Sequence, residues 1–219
     1  MADEPHAQRV GCLRSGNQPR GPFKMSTPQI RLPTIEGLRY IPDYLSSEAE
    51  RALMGVVDTH EWQMTVDHPF QVYGHHYNHK RVEAYRIGEL PSWSRELAAP
   101  LRNDDLIPDV PNMLVVNDYP AGSGFFAHVD QAVFGDTIVS VSLGSSCVMR
   151  FSHTSSGRIE ECLLEPRSAL VLSGDVRWNW KHEIPARKVD IFGGYERPRA
   201  RRVSLTFRAV PTTQVSGAG

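Results

Sequence analysis

In the stretch NDYPAGSGFFAHVDQ, residues 117–131, a histidine and an aspartate stand one residue apart at His128 and Asp130. Residues i and i+2 of a strand point to one face, so the two side chains can reach a single point without distorting the backbone. Alone, an HxD pair is common by chance and its reading as a turn stays open. A third donor of the right type, His182 in WNWKHEI, lies several candidate strands further along. Two imidazoles and one carboxylate make the donor set of a non-haem Fe(II) centre, which keeps positions open for other ligands.

The last strand-like segment strengthens this reading. In RRVSLTFRAV, Val203, Leu205, Phe207 and Ala209 alternate with Arg202, Ser204, Thr206 and Arg208. Two arginines and two hydroxyls therefore share a face. If that strand is buried, the arginines need anionic partners, because an unpaired buried charge costs several kcal/mol. A dicarboxylate cosubstrate would supply them, whereas an exposed edge strand would leave them in water. Asn117 and Tyr119 share a face just before the Pro/Gly turn and are donors aimed toward the same cavity.

These side chains need a framework. The chain has 219 residues, 40% of them hydrophobic and 22% charged, which suits one domain with a proper core better than two. A formal net charge of −1 neither draws the protein to nucleic acid nor repels it, so local patches decide. Cys12, Cys147 and Cys162 lack metal-binding spacing and cannot all pair, which points to a reducing, cytoplasmic setting. No apolar run approaches the length of a membrane span. Residues 1–30 are rich in Gly, Pro, Ser and Arg without apolar periodicity and read as a disordered leader, with Met25 an alternative start.

The domain proper spans residues 31–215. SSEAERALMGVVDT, with a capping-box pair of Ser47 and Glu50, predicts a helix from about Glu48 to Asp58, and SWSRELAAPLRND predicts a second. The aromatic, His-rich segment between them, residues 68–91, reads as a hairpin or lid turning at Gly74. From residue 111, NMLVVNDY, DTIVSVSLG, CVMRFSH, IEECLLE, SALVLSG, WNWKHEI and RRVSLTFRAV follow one another as short strands. The expected class is α+β, a jelly-roll core with helices N-terminal to it.

With these residues in order, the chain resembles the AlkB family of Fe(II)- and 2-oxoglutarate-dependent dioxygenases. The resemblance rests on Asn117-x-Tyr119-x-x-Gly122-x5-His128-x-Asp130, on GDVRWNWKH ending at His182, and on Arg202-x5-Arg208. It implies a double-stranded β-helix, with His128, Asp130 and His182 as catalytic ligands of Fe(II). It also implies 2-oxoglutarate as cosubstrate and O2 as oxidant. Arg202 would pair with the distal carboxylate of 2-oxoglutarate, Asn117 and Tyr119 would hydrogen-bond it, and Arg208 would lie near its chelating end. Ser204 stands where some members carry an asparagine that contacts the cosubstrate.

SLGSSCVMRFSH and LEPRSALVLSGDVRWNWKHEI look most similar to the branch that hydroxylates a modified wobble uridine in tRNA, and to its stand-alone bacterial relatives. The resemblance implies oxidation of modified or alkylated bases in DNA or RNA. A protein or lipid substrate is the alternative, and a non-catalytic β-sandwich binding module is a further one. Tyr73, Tyr77 and Tyr85, with Trp178 and Trp180, are candidates for stacking on a base, although such residues are more often core aromatics. Lys80, Arg81, Arg86 and the run RPRARR (197–202) are candidate phosphate contacts. Ala132 is apolar where repair members commonly carry an acidic residue that helps read the base. No membrane partner is expected, and a monomer is the default.

Overall fold

The computed structural model describes residues 33–64 and 68–211; the expected leader, its Met25 and the segment 212–215 lie outside them. In chain order the elements are β1 (Leu38–Ile41), α1 (Ser47–Asp58), β2 (Gln63–Met64), β3 (Pro69–Tyr73), β4 (His75–Asn78), β5 (Glu83–Arg86) and α2 (Ser92–Asn103). The second half holds β6 (Met113–Tyr119), β7 (Phe125–His128), β8 (Ile138–Gly144), β9 (Cys147–His153), β10 (Ile159–Leu164), β11 (Ala169–Leu172), α3 (Gly174–Asn179), β12 (Trp180–Ile184), β13 (Val189–Phe192), β14 (Tyr195–Pro198) and β15 (Arg202–Arg208).

β15 lies at the centre of a seven-stranded antiparallel sheet ordered β1-β11-β8-β15-β6-β3-β2. Its period-2 pattern decides the layering. Val203, Leu205 and Phe207, with Leu114 and Val116 of β6 and Val139, Val141 and Leu143 of β8, pack against Val57 of α1 and Leu97, Ala98 and Leu101 of α2. The opposite face turns toward a four-stranded sheet ordered β10-β9-β12-β7. Between the two sheets lie Met113, Tyr119, Ile138, Met149, Phe151, Cys162, Leu164, Trp180 and Ile184. The result is a jelly roll with helices over the outer face of its larger sheet. Buried Cys147 and Cys162 are both free.

The amphipathic stripe of α1 is as the sequence implies, but its cap is not. Ser46 is the N-cap and its hydroxyl accepts from the Ala49 N–H at 3.1 Å. Glu50 is thereby released from any capping box, and its carboxylate accepts from the Gly144 N–H at 2.8 Å and pairs with Arg167 at 3.4 Å. The helix is thus tied to the end of β8. A second tie is Arg201, which bridges Asp58 at the end of α1 and Asp118 of β6.

Three further local expectations are corrected. WNWKHEI is not one strand, because Trp178 and Asn179 close the short helix α3 and the strand begins at Trp180. β7 ends at His128, so Asp130 lies just past the strand instead of within it. The pair β13 and β14, joined through Gly193 and Gly194, was not anticipated, although a Gly-Gly between alternating segments is a hairpin signal. The expected hairpin in the His-rich segment is present as β4 paired with β5.

Candidate metal and cosubstrate site

β7 and β12 pair so that His128 and His182 face each other in register. Their ring centroids are 4.4 Å apart. Asp130 follows from the loop after β7, and one donor atom from each of the three residues lies within 4.8 Å of the others. The spacing suits one metal ion, with His182 Nε2 already 3.4 Å from Asp130 Oδ2. The Nδ1–H of His128 is positioned to donate to the Phe126 carbonyl at 2.9 Å, which leaves Nε2 with its lone pair toward the site.

The electrostatics favour the ligand forms. Burial works to raise the Asp130 pKa, but the Arg208 guanidinium and the two imidazoles hold this carboxyl well below the usual carboxylate range. Burial pushes the imidazole of His182 down to about 4, against the pull of Asp130. A carboxylate and a neutral ring are the protonation states a divalent cation needs.

Two arginines hold the aspartate from opposite sides. Arg208 donates from Nη2 to Asp130 Oδ1 at 2.7 Å, which leaves Oδ2 toward His182. Its guanidinium also lies 4.5 Å from the ring of Phe134. Arg177, only 2% exposed, fixes the backbone instead. It donates from Nη1 to the Asp130 carbonyl (2.8 Å), from Nη2 to the Gln131 carbonyl (2.7 Å) and from Nε to the Gly135 carbonyl (3.0 Å). The ring of Trp178 lies 4.1 Å from the same guanidinium. Arg177 was missed from sequence, where nothing separates it from a surface arginine of α3.

The inner row of the large sheet carries the rest. Register places Arg202 opposite Tyr119 and Ser204 opposite Asn117. Arg202 is 2% exposed, and its Nη2 donates to Ser142 Oγ at 2.9 Å. Its Nε and Nη1 are buried without a hydrogen-bond partner, and among the described residues no carboxylate pairs with it. A buried guanidinium in that state calls for an anion, as a free carboxylate end of a small diacid would provide. Arg202 and Arg208 are six residues apart, about 20 Å along the strand. One small diacid could not bridge both along the strand, and Arg208 is already bonded to Asp130.

Tyr119 is buried, and that burial raises its phenol above the usual range, so it stays an O–H donor. Asn117 is held at its Oδ1 by His68 Nε2 at 3.1 Å, and the His68 ring lies 4.7 Å from Tyr119. The site thus includes His68, which nothing in the sequence sets apart from the other histidines of its segment. Ser204 is bound to Ser140 at 2.8 Å and approaches Thr206 at 3.3 Å, a hydroxyl ladder on the same inner row.

The stacking candidates scatter. Tyr73 faces the helices, edge-on to Trp93 and bonded to Gln71 at 3.0 Å, and is not brought to the site. Trp180 is buried, its indole N–H donating to Asp175 at 2.8 Å. Tyr77 is buried against Phe134 beside the metal loop, and Trp178 is half-exposed over Arg177. Tyr85 is exposed beside His76. Ala132 is exposed and opens the 3-10 turn Ala132–Phe134.

The candidate phosphate contacts are largely occupied within the fold. Arg81 pairs with Glu83 and Arg86 with Glu89. In RPRARR, Arg199 is claimed by fully buried Asp190, Arg201 by Asp58 and Asp118, and Arg202 faces inward. Three of the four arginines of that run are thus structural, and Arg197 has no ion-pair partner among the described residues. Among the described residues no helix is long and apolar enough to cross a membrane.

Residues 37–208 match the family described as the 2OG-Fe(II) oxygenase superfamily. The chain is 30% identical over 194 residues to the uncharacterized protein L905 of Acanthamoeba polyphaga mimivirus, covering 86% of this chain and 90% of that one. It is 34% identical over 206 residues to the alkylated DNA repair protein ALKBH8 homolog of Arabidopsis thaliana, covering 80% of this chain but 59% of that one. The solved structure of OsALKBH1 superimposes with a TM-score of 0.62 at 14% identity, over 78% of this chain and 96% of that one. The last comparison concerns the fold alone.

Proposed function

The chain belongs to the 2OG-Fe(II) oxygenase superfamily, a dioxygenase that uses Fe(II), 2-oxoglutarate and O2, and we propose that its substrate is a modified or alkylated base in nucleic acid. The observation that carries the oxygenase site is the unpartnered pair of nitrogens on buried Arg202, on the large sheet, together with the His128, Asp130 and His182 cluster carried by the smaller sheet and the loop after β7. In this reading His128, Asp130 and His182 hold the iron, and Arg202 takes the distal carboxylate of 2-oxoglutarate. Tyr119 donates to that cosubstrate, and Asn117, oriented by His68, offers it an amide N–H. Ser204 steadies the inner wall through Ser140, and Arg208 keeps Asp130 ionised and turned toward the metal.

When bound, iron would supply the activation of O2, one oxygen atom going to a substrate C–H bond and the other into succinate as 2-oxoglutarate loses CO2. The residues of the chain orient the two ends of the diacid and keep the ligand carboxylate charged. Oxidation of an N-methyl group would release formaldehyde; oxidation of an ordinary carbon would leave a stable hydroxylated base. The base as substrate is supported by the likeness to the Arabidopsis relative, whose name is that of a repair protein for alkylated DNA. The free thiols of Cys147 and Cys162 support a reducing, cytoplasmic setting.

The test has two stages. Under anaerobic conditions Fe(II) and 2-oxoglutarate should give the wild-type protein a weak visible charge-transfer band that His128→Ala abolishes. Arg202→Ala should weaken 2-oxoglutarate by about 2–5 kcal/mol, the cost typical of removing one partner of a buried charge pair. Nucleoside mass spectrometry of alkylated oligonucleotides and total tRNA after incubation then identifies the base. Oxidation of extract proteins with both nucleic acids untouched would reject the substrate class and leave the cofactor assignment standing.

A further inference from the structure

Phe126 is 65% exposed, more than any other aromatic among the exposed large hydrophobic residues described. Its ring centroid is 5.4 Å from that of His128. Chain geometry explains how an apolar ring comes to stand in water there. β12 pairs with β7 at His182 with His128 and at Ile184 with Phe125, so Phe126 and Ala127 oppose the single residue Glu183. This bulge turns Phe126 outward while Phe125, packed on the inter-sheet core, stays in register. The two rings lie 4.8 Å apart and nearly parallel, at 22°. One face of Phe126 is thus backed by a partly buried neighbour. His128 stands at its side.

We propose that Phe126 is the platform on which the substrate base stacks beside the metal ligands. This rests on the reading of the substrate as a nucleic-acid base, and it names the residue that receives it. A flat π-surface suits a ring that must lie close to the oxidising centre, and stacking recognises any base without reading its edge. The stacking candidates in the lid are poorly placed by comparison: Tyr73 is turned to the helices, and Tyr77 is buried against Phe134. Of the lid cations, Arg81 and Arg86 are paired to Glu83 and Glu89, and Lys80 stands exposed.

The probe is a single-stranded oligonucleotide carrying 2-aminopurine, whose fluorescence is quenched on stacking. Wild type should bind it and quench it. Phe126→Ala should lower the affinity about tenfold and lose the quench, the loss expected of one base–aromatic stack. Phe126→Trp should restore both, which a change in folding would not do; melting curves of all three proteins check the fold. Equal affinity and quench in wild type and Phe126→Ala would overturn the platform while leaving the substrate class intact. If wild type binds neither this probe nor an alkylated or tRNA-derived oligonucleotide, the substrate class falls and the platform with it.

Discussion

At the scale of single residues, the site depends on groups that touch no ligand. Arg177 is a fully buried cation whose three donor nitrogens end on backbone carbonyls of the loop that presents Asp130. Arg177→Met leaves those carbonyls unsatisfied and frees the loop. Loss of such an outer partner typically costs about 10–100-fold in metal affinity. Titration with Co(II), followed by its visible absorption, should show that loss, and Arg177→Lys should recover part of it. Unchanged Co(II) affinity in the methionine variant would show that the loop holds its shape without the arginine. The contrast with Arg202 is instructive. Its place on the polar face of RVSLTFR was legible in the sequence, because period-2 alternation is a local property. The role of Arg177 depends on a loop more than forty residues away in sequence and left no pattern to read.

Elements set the second level. The Pro/Gly turn after β6 joins two strand ends, and the structure gives one of its glycines a definite reason. A Cβ on Gly124 would stand 2.2 Å from the Ile184 carbonyl oxygen and 2.7 Å from the Ala186 nitrogen, both backbone atoms. β7 can approach β12 closely only because that carbon is missing. Gly124→Ala must therefore push the strands apart, and with them the His128 and His182 pair. The expected cost is about 1–3 kcal/mol of stability, as for overpacking elsewhere, together with weaker metal binding. Chemical denaturation and Co(II) titration measure the two effects. A variant as stable as wild type, with equal metal affinity, would mean that the strands separate freely. β15 was legible because its apolar face against the helices alternates with a polar inner face, and β6 because its apolar run is bounded by turn residues. β7 was not, since it has four residues and a bulge, and neither was the cap of α1, where Ser46 and Ser47 compete for one role and only the path of the chain decides.

For the whole molecule, buried ionisable groups link the fold to pH. The ordinary pKa of histidine is near 6.5, and in the folded, metal-free protein burial lowers that of His182 to about 4. Between these values the unfolded chain binds the proton that the folded one refuses, so stability rises with pH across this window and is lost as pH falls through it. The melting temperature of the metal-free protein should decline from pH 6.5 toward pH 4, and His182→Gln should blunt the decline. Curves of equal slope for the two proteins would remove His182 as the cause. The jelly roll itself and the segments that form its main strands followed from sequence, whereas β13 and β14 escaped, since their anchor is the fully buried Asp190 held by Arg187 and Arg199.

The bulge in β7 has one more effect. β7 is the outermost strand of the smaller sheet, and its outer edge offers backbone groups to any passing strand. Straight and flanked by Phe125 and Phe126, it would be a template on which a second molecule could add a strand. Four residues with an irregular register cannot offer a continuous ladder, so the distortion that turns Phe126 outward also guards the protein against edge-to-edge association and aggregation.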